Sequence, residues 1–273
     1  MNINTKLMMN NNVGIPALGL GTYQSKAGKE TYDAVLYSLE IGYRHIDTAA
    51  LYVNESDVGS AVRDSGLPRN DIFITTKLWN SDHGYGSTLK AFETSLSKLK
   101  TDYIDLYLIH WPVQHKRSES WQAMLKLFDE GLCKSIGVSN YTIKHIEEMR
   151  NYLPVLPAVN QVEFSPYLYQ KELLEYCNKN GIIVEAYTPL VRGKKFNDLK
   201  LIDLSKKYDK TPAQILIRWV LQRGLVVLPK SVNPLRIAEN ADVFDFEINE
   251  NDMLLIDTFH SNYRVCWNPS SIE

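Results

Sequence analysis

The sequence has 273 residues, of which 44% are hydrophobic and 23% are charged. This balance is typical of a globular protein and excludes a disordered chain, a collagen-like repeat and a small disulfide scaffold. With 30 Lys and Arg against 32 Asp and Glu, the net charge of −2 does not indicate a nucleic-acid partner.

The predicted elements begin with a β-hairpin from Lys6 to Pro16, where an Asn-rich turn separates two short apolar arms. Eight short β-rich runs follow, with amphipathic stretches between them. Thr88–Lys98 and Ser120–Phe128 show helical spacing of apolar residues. A further helix over Leu199–Tyr208 is expected inside a long insertion. The eight predicted strands are Ala17–Thr22, Tyr43–Thr48, Ile72–Lys77, Ile104–Trp111, Ser135–Ser139, Ala158–Glu163, Ile182–Tyr187 and Leu225–Pro229.

Eight strand–helix units averaging about 32 residues match the length of a βαβ step. The pattern favours an α/β fold of the (β/α)8 TIM-barrel type with an N-terminal β-hairpin. A doubly wound open sheet is the alternative. No linker or compositional break divides the chain, so we expect a single domain over residues 1–273.

The three cysteines are scattered and show no CxxC spacing, which fits a reducing compartment. No apolar stretch reaches the roughly 18 residues of a membrane span. The N-terminus also lacks the basic start and apolar run of a signal peptide. We therefore expect a cytoplasmic protein with no membrane partner, and a monomer because no hydrophobic segment is left over after eight units.

Polar residues at the ends of three adjacent predicted strands indicate a catalytic site. The second strand ends in Asp47, the third in Lys77 and the fourth in His110, and Tyr52 follows Asp47 by five residues. The carboxyl ends of barrel strands share one face, where active sites of this fold lie. We therefore expect these four side chains to meet there.

This quartet suits delivery of a proton to a carbonyl oxygen. A phenol titrates near pH 10, and we expect the Lys77 ammonium, held by Asp47, to lower the pKa of Tyr52. His110 would hydrogen-bond the same substrate oxygen. The alternatives are a structural Asp–Lys pair and a core histidine. A metal site is disfavoured because the first strand offers no ligand and no HxH occurs.

The remaining strand ends suit an aromatic amide and an anion. Ser139, Asn140 and Gln161 offer groups for a carboxamide, and the Tyr187 ring offers a stacking face. Ordinary loop polarity and core packing are the alternatives for these residues. After the eighth strand, Lys230, Ser231 and Arg236 accompany a predicted helix start, which is typical of an anion site, or else form a solvated basic turn.

Several segments together resemble the signature segments of the aldo-keto reductases, from about Gly14 to about Asp257. They are GYRHIDTAALYVNE, TTKLWN, DLYLIHWP, IGVSN, NQVEF and LPKSVNPLRIAEN. The resemblance implies a (β/α)8 barrel that binds NADPH and reduces a small-molecule carbonyl substrate to an alcohol. The same residues would catalyse alcohol oxidation. A non-catalytic NADPH-binding structural or sensor protein on the same fold is the rival function.

The resemblance also implies site roles. It makes Tyr52 the proton donor and Lys77 and Asp47 the pair that adjusts the pKa of Tyr52. It also implies that His110 orients the carbonyl. The implied cofactor-binding residues are Gly21, Thr22, Asp47, Ser139, Asn140, Gln161, Tyr187, Leu190, Lys230, Ser231, Arg236, Glu239 and Asn240. The implied substrate-binding residues are Tyr23, Trp79, His110 and Trp111. A short segment after the HWP motif and a short tail after Phe259 imply a shallow, open site.

Overall fold

The computed structural model describes residues 1–151 and 155–272. Two strands form an N-terminal hairpin, and eight parallel strands form a second sheet in which each strand pairs with its sequence neighbour. The hairpin strands are β1 (Lys6–Met8) and β2 (Gly14–Pro16). The others are β3 (Leu20–Gly21), β4 (His45–Asp47), β5 (Phe73–Leu78), β6 (Ile104–Ile109), β7 (Cys133–Ser139), β8 (Val159–Glu163), β9 (Ile183–Tyr187) and β10 (Val226–Leu228).

The eight-stranded sheet closes on itself, which confirms the barrel and rules out the open-sheet alternative. Gly19 N–H donates to the Val227 carbonyl at 3.0 Å, and Val227 N–H donates to the Ala17 carbonyl at 2.9 Å. These bonds join the first strand of the barrel to the last. Every predicted strand is present. The regular part of several is shorter than expected, and β6 ends at Ile109 rather than Trp111.

The helices surround the barrel and bury their apolar faces against it. The α8 helix illustrates how they begin, since the Thr211 side chain and the Gln214 side chain cap each other's backbone and Pro212 occupies the first turn. Those in the described part of the chain are α1 (Lys29–Glu40), α2 (Glu55–Asp64), α3 (Tyr85–Leu99), α4 (Arg117–Asp129), α5 (Ile143–Arg150), α6 (Lys171–Lys179), α7 (Leu199–Tyr208), α8 (Pro212–Gln222), α9 (Pro234–Ala241) and α10 (Glu250–Asp257).

The insertion helix predicted over Leu199–Tyr208 is α7, with the same bounds. The predicted helices Thr88–Lys98 and Ser120–Phe128 lie within the longer α3 and α4. None of the helices in the described ranges combines the length and apolarity that a bilayer crossing requires.

The N-terminal hairpin caps the barrel end opposite to the carboxyl ends of the strands. Met9 and Ile15 are buried in a cluster with barrel residues that include Phe73 and Leu106. The Asn10 side chain at the turn donates to the Pro157 carbonyl at 3.2 Å. Closure of this end leaves the carboxyl ends of the strands as the open face.

Glycine permits one close contact between helices. A Cβ atom built on Gly59 in α2 would lie 2.2 Å from the backbone oxygen of Leu99, the last residue of α3. The two helix backbones therefore touch at a point where no side chain fits. By contrast, a Cβ on Gly86 in α3 would meet no atom within 4 Å.

Candidate active site

A cleft of about 1120 Å³ opens at the carboxyl ends of the barrel strands. Most of the residues predicted for the site line it, although they come from distant parts of the sequence. These are Gly21, Tyr23, Asp47, Tyr52, His110, Trp111, Ser139, Asn140, Gln161, Tyr187, Leu190, Lys230, Ser231, Arg236, Glu239 and Asn240.

The strand register explains why the acid, the lysine and the histidine meet. Asp47 pairs with Thr75, two residues before Lys77, and Lys77 pairs with Leu108, two residues before His110. Because the strands are tilted relative to the barrel axis, residues at the same height on neighbouring strands are not paired with each other. The residue on the next strand lies further toward that strand's carboxyl end. The three residues therefore reach the same height in the barrel.

Lys77 and Asp47 form a buried ion pair beneath the cleft. Lys77 Nζ lies 2.8 Å from Asp47 Oδ1 and 2.7 Å from Oδ2, and it donates to the Thr48 carbonyl at 2.8 Å. All three ammonium hydrogens are thus engaged. Burial raises the pKa of Asp47, while the Lys77 ammonium and the Gln161 amide act against this rise.

Tyr52 is half-buried at the end of a 3₁₀ turn over Ala50–Tyr52. Its ring lies 5.0 Å from the Tyr23 ring and 5.7 Å from the His110 ring between centroids. The chain beyond the turn is held by Asn54, whose side chain accepts from Thr48 Oγ1 at 2.8 Å and donates to the Thr22 carbonyl at 3.1 Å. This anchoring fixes the phenol over the ion pair.

The expected lowering of the Tyr52 pKa is wrong for this structure. Burial raises the pKa of Tyr52 well above 10, and the negative charge of Asp47 raises it further. Lys77 Nζ lies 5.1 Å from the centroid of the Tyr52 ring, and its hydrogens are directed to Asp47 and Thr48. The phenol therefore keeps its proton at neutral pH.

His110 is an uncharged imidazole at the wall of the cleft. Burial and the Lys77 charge hold its pKa well below 6.5. Its ring contacts Tyr52 on one side and Trp79 on the other, with the Trp79 centroid at 5.3 Å. A neutral imidazole next to a protonated phenol can hydrogen-bond a substrate oxygen without adding a charge.

The amide-binding candidates form one connected network. Ser139 Oγ donates to the Gln161 carbonyl at 2.8 Å, and the Asn140 side-chain nitrogen donates to Ser139 Oγ at 3.1 Å. Tyr187 OH donates to Asn140 Oδ1 at 2.7 Å. Asn140 has a φ of 64°, a left-handed conformation that Asn tolerates better than most residues. This network holds the Tyr187 ring beside the polar floor of the cleft.

The far end of the cleft is basic. Ser231 and Arg236 flank the start of α9, where the Asn233 side chain caps the Arg236 N–H. Within residues 1–151 and 155–272, neither Lys230 nor Arg236 forms an ion pair with a carboxylate. Glu239 is bonded to Thr211 Oγ1 at 2.7 Å. Two uncompensated cations at a helix N-terminus suit an anion.

Three predicted site residues do not line the cleft. Lys77 lies below it, and the Thr22 hydroxyl donates to the Asp47 carbonyl at 2.9 Å. Trp79 packs against His110 and lines a separate pocket of about 430 Å³ with Ala50 and Leu51. Thr22 therefore contacts the site through Asp47, and Trp79 contacts it through His110.

The contribution of the C-terminal tail was not predicted from the sequence. Four residues of the tail line the cleft: Arg264, Val265, Cys266 and Trp267. Trp267 is 67% exposed, and its ring lies 5.7 Å from that of Trp111 between centroids. The tail thus forms one wall of the site. It could not be found by looking at the ends of the predicted strands, because it follows the last helix of the barrel.

Fold and site together define a (β/α)8 barrel with a cleft at its carboxyl face, lined by ionisable and aromatic side chains. The model of the aldo/keto reductase family matches residues 17–260. Glyoxal reductase of Bacillus subtilis is 46% identical over 97% of this chain and 96% of its own length.

Two solved structures extend the comparison. The structure of an aldo-keto reductase from a deep-sea metagenome library is 43% identical, with a TM-score of 0.95, and covers 98% of this chain and all of its own. A Bombyx mori aldo-keto reductase solved in complex with NADP is 38% identical, with a TM-score of 0.89, over 96% of this chain and 94% of its own. The chain therefore belongs to the aldo/keto reductase family and is an oxidoreductase.

Proposed function

We propose that this chain is an NADPH-dependent reductase of aldehydes and some ketones, with Tyr52 as the general acid. One observation carries the proposal. The same cleft is lined by a protonated phenol and a neutral imidazole and by Lys230 and Arg236, two cations with no carboxylate partner among the described residues. That arrangement matches a phosphate-bearing cofactor whose reactive ring lies beside a substrate carbonyl.

The residues along the cleft fit NADPH. Lys230, Ser231 and Arg236 would hold the additional phosphate that distinguishes NADPH from NADH, with Glu239 and Asn240 near the adenine. Arg192 and Lys194 also line the cleft, and they would face the pyrophosphate. Gly21 and Leu190 line the cleft and would contact the cofactor mainly through backbone and apolar atoms, while Thr22 would act through its bond to the Asp47 carbonyl. Tyr187, Ser139, Asn140 and Gln161 would receive the nicotinamide.

The chemistry is a two-electron reduction. Bound in this cleft, the reduced nicotinamide supplies a hydride to the carbonyl carbon. Tyr52 donates its proton to the carbonyl oxygen as the C–O π bond breaks, which yields an alcohol and leaves a phenolate. The positive charge of Lys77, which Asp47 holds in place, would offset part of the cost of that buried phenolate. His110 hydrogen-bonds the carbonyl oxygen and sets its orientation.

Tyr23, Trp111 and Trp267 surround the substrate end of the cleft, so small and flat apolar carbonyl compounds suit it best. The B. subtilis relative is named for glyoxal, a small dicarbonyl compound. We therefore place small dicarbonyls and aromatic aldehydes first among the substrates to test.

Tyr52→Phe tests the general acid because it removes one oxygen and keeps the ring. We expect kcat to fall by about 10²- to 10⁴-fold, the usual contribution of a positioned acid, while NADPH still binds. Loss of NADPH absorbance with methylglyoxal and a nitrobenzaldehyde measures turnover, and fluorescence titration measures binding. Tyr37→Phe on α1 is the matched control.

Three results would contradict parts of this proposal. Wild-type turnover in Tyr52→Phe would remove Tyr52 from its role. Tight NADPH binding by the wild type without turnover on any carbonyl or alcohol would indicate the sensor function instead. Absence of NADPH binding would refute the assignment of the basic end.

A further inference from the structure

Glu185 is a carboxyl group inside the barrel that the proposed reaction does not use. It lies on β9, directly paired in register with Gln161 on β8, and its side chain is fully buried. Glu185 Oε2 accepts a hydrogen bond from Gln161 Nε2 at 2.6 Å. Its other oxygen has no hydrogen-bond partner among the described residues and lies 3.6 Å from His45 Nε2.

The side-chain amide of Gln161 is held between two carboxyl groups. Its nitrogen donates to Asp47 Oδ2 at 2.8 Å as well as to Glu185 Oε2. A primary amide has two N–H donors and one carbonyl acceptor. Both donors are therefore engaged in the barrel interior, and the amide oxygen is the polar atom that Gln161 has left to offer a ligand in the cleft.

We propose that Glu185 is a positioning residue that fixes the Gln161 amide with its oxygen toward the cleft, as an acceptor for the carboxamide N–H of the nicotinamide. The inference rests on the proposed cofactor. Without the Glu185 acceptor, the second N–H of Gln161 is unpaired in the interior, and burial of an unpaired donor is costly. We then expect the Gln161 amide to rotate and place this N–H in the cleft. A donor as well as an acceptor would then face the carboxamide of the nicotinamide.

The charges around Glu185 are compatible with this role at neutral pH. Burial and the Asp47 charge raise the pKa of Glu185 to about 8, while Gln161 and Lys77 oppose the rise. Burial lowers the pKa of His45 to about 3, so that this neighbour is neutral. Whether or not Glu185 carries a proton, its Oε2 accepts from Gln161. Protonation also leaves Lys77 and Asp47 as a balanced pair.

The test compares NADP⁺ with its 3-acetylpyridine analogue, in which a methyl ketone replaces the carboxamide. The analogue keeps a carbonyl acceptor and lacks the N–H₂ donor. Dissociation constants from fluorescence titration are measured for the wild type, Glu185→Met, Glu185→Gln and Thr75→Val. Thr75 Oγ1 bonds His45 Nε2 at 2.9 Å in the same interior and does not contact Gln161, so Thr75→Val is the matched control.

We expect the wild type to bind NADP⁺ about fivefold more tightly than the analogue, the usual size of one hydrogen bond. Glu185→Met should lose this preference. Glu185→Gln should keep it, because its amide oxygen can still accept from Gln161, and Thr75→Val should keep it too. If Glu185→Met does not fold, Glu185→Val removes the acceptor with a smaller side chain and should give the same loss.

An unchanged preference in Glu185→Met, or an equal weakening of both ligands with the preference intact, would overturn the positioning role while the proposed function stands. Failure of the wild type to bind NADP⁺ would instead overturn the proposed function itself.

Discussion

Lys230 and Arg236 show how individual side chains would set cofactor choice. Lys230 is half-buried and Arg236 is exposed, and neither shares its charge with a carboxylate in the described part of the chain. A phosphate bound between them would give both side chains an anionic partner. NADH lacks that phosphate and would make no such contact with either cation.

We predict that Lys230→Met and Arg236→Met each weaken NADPH binding by about tenfold to a hundredfold, as expected for a charged hydrogen bond. NADH binding should change by less than about threefold, since it never made the contact. Fluorescence titration with both cofactors measures the difference. Lys179→Met, an exposed lysine on α6, is the charge-matched control. Equal losses for NADPH and NADH would place the phosphate elsewhere.

At the scale of elements, the contact between α2 and α3 is possible because Gly59 has no side chain. Because a Cβ at Gly59 would overlap a backbone oxygen, only movement of a helix can relieve the clash. That movement would disturb α2, which begins directly after the Tyr52 turn.

We predict that Gly59→Ala lowers the free energy of unfolding by about 2 kcal/mol or more, the cost of overpacking against rigid backbone. Gly86→Ala is the matched helical control. It meets no atom and should raise stability by up to about 1 kcal/mol, because Ala favours the helix over Gly. Urea unfolding followed by circular dichroism gives both values. Equal effects of the two substitutions would show that helix propensity, and not contact, governs Gly59.

At the scale of the whole molecule, buried histidines couple stability to pH. Burial lowers the pKa of His45 to about 3 and that of His83 to about 4, and His110 is also well below 6.5. The unfolded chain takes up these protons near pH 6.5 and the folded chain does not. The free energy of unfolding therefore falls as pH drops from 6.5 toward 4. Glu185, with its raised pKa, binds a proton on folding and offsets part of this loss.

We predict that His83→Gln reduces this pH dependence by about 1.4 kcal/mol per pH unit between pH 6.5 and 4, the contribution of one proton. Urea unfolding at pH 7, 6 and 5 measures the slope. Ser120→Ala removes the hydroxyl 3.1 Å from His83 Nδ1 and keeps the imidazole. It should lower stability and leave the slope unchanged. A slope in His83→Gln equal to that of the wild type would show that His83 takes up its proton in the folded state.

The fold could be predicted because each barrel unit repeats a local pattern. Period-two and period-3.6 apolar spacing identified every strand and the insertion helix α7. Strand ends were predicted less accurately than strand positions. For example, β6 ends at Ile109, although the sequence pattern predicted a strand as far as Trp111. Hydrogen-bond pairing with neighbours determines where a strand stops, and that information is not local.

The site could be predicted where strand register brings side chains to one face, as for Asp47, Lys77 and His110. The high pKa of Tyr52 could not be predicted, because it depends on how far the folded chain buries the phenol and on the Asp47 charge near it. Trp267 was missed since nothing in its neighbourhood indicates where the tail lies. Glu185 did carry a signal, for it precedes Tyr187 by two residues and therefore shares its face of the strand.

The attachment of the tail has a consequence for how this enzyme can change. Ser261 and Tyr263 donate their backbone N–H groups to the Tyr167 carbonyl, each at 3.1 Å, and the Val265 N–H donates to Glu163 Oε1 at 2.7 Å. Because main-chain donors make these attachments, they do not depend on the side chains at Cys266 and Trp267. Mutation at those two positions would therefore change the lining of the cleft, where we propose that the substrate binds, and would keep both the attachment of the tail and the residues Asp47, Tyr52, Lys77 and His110.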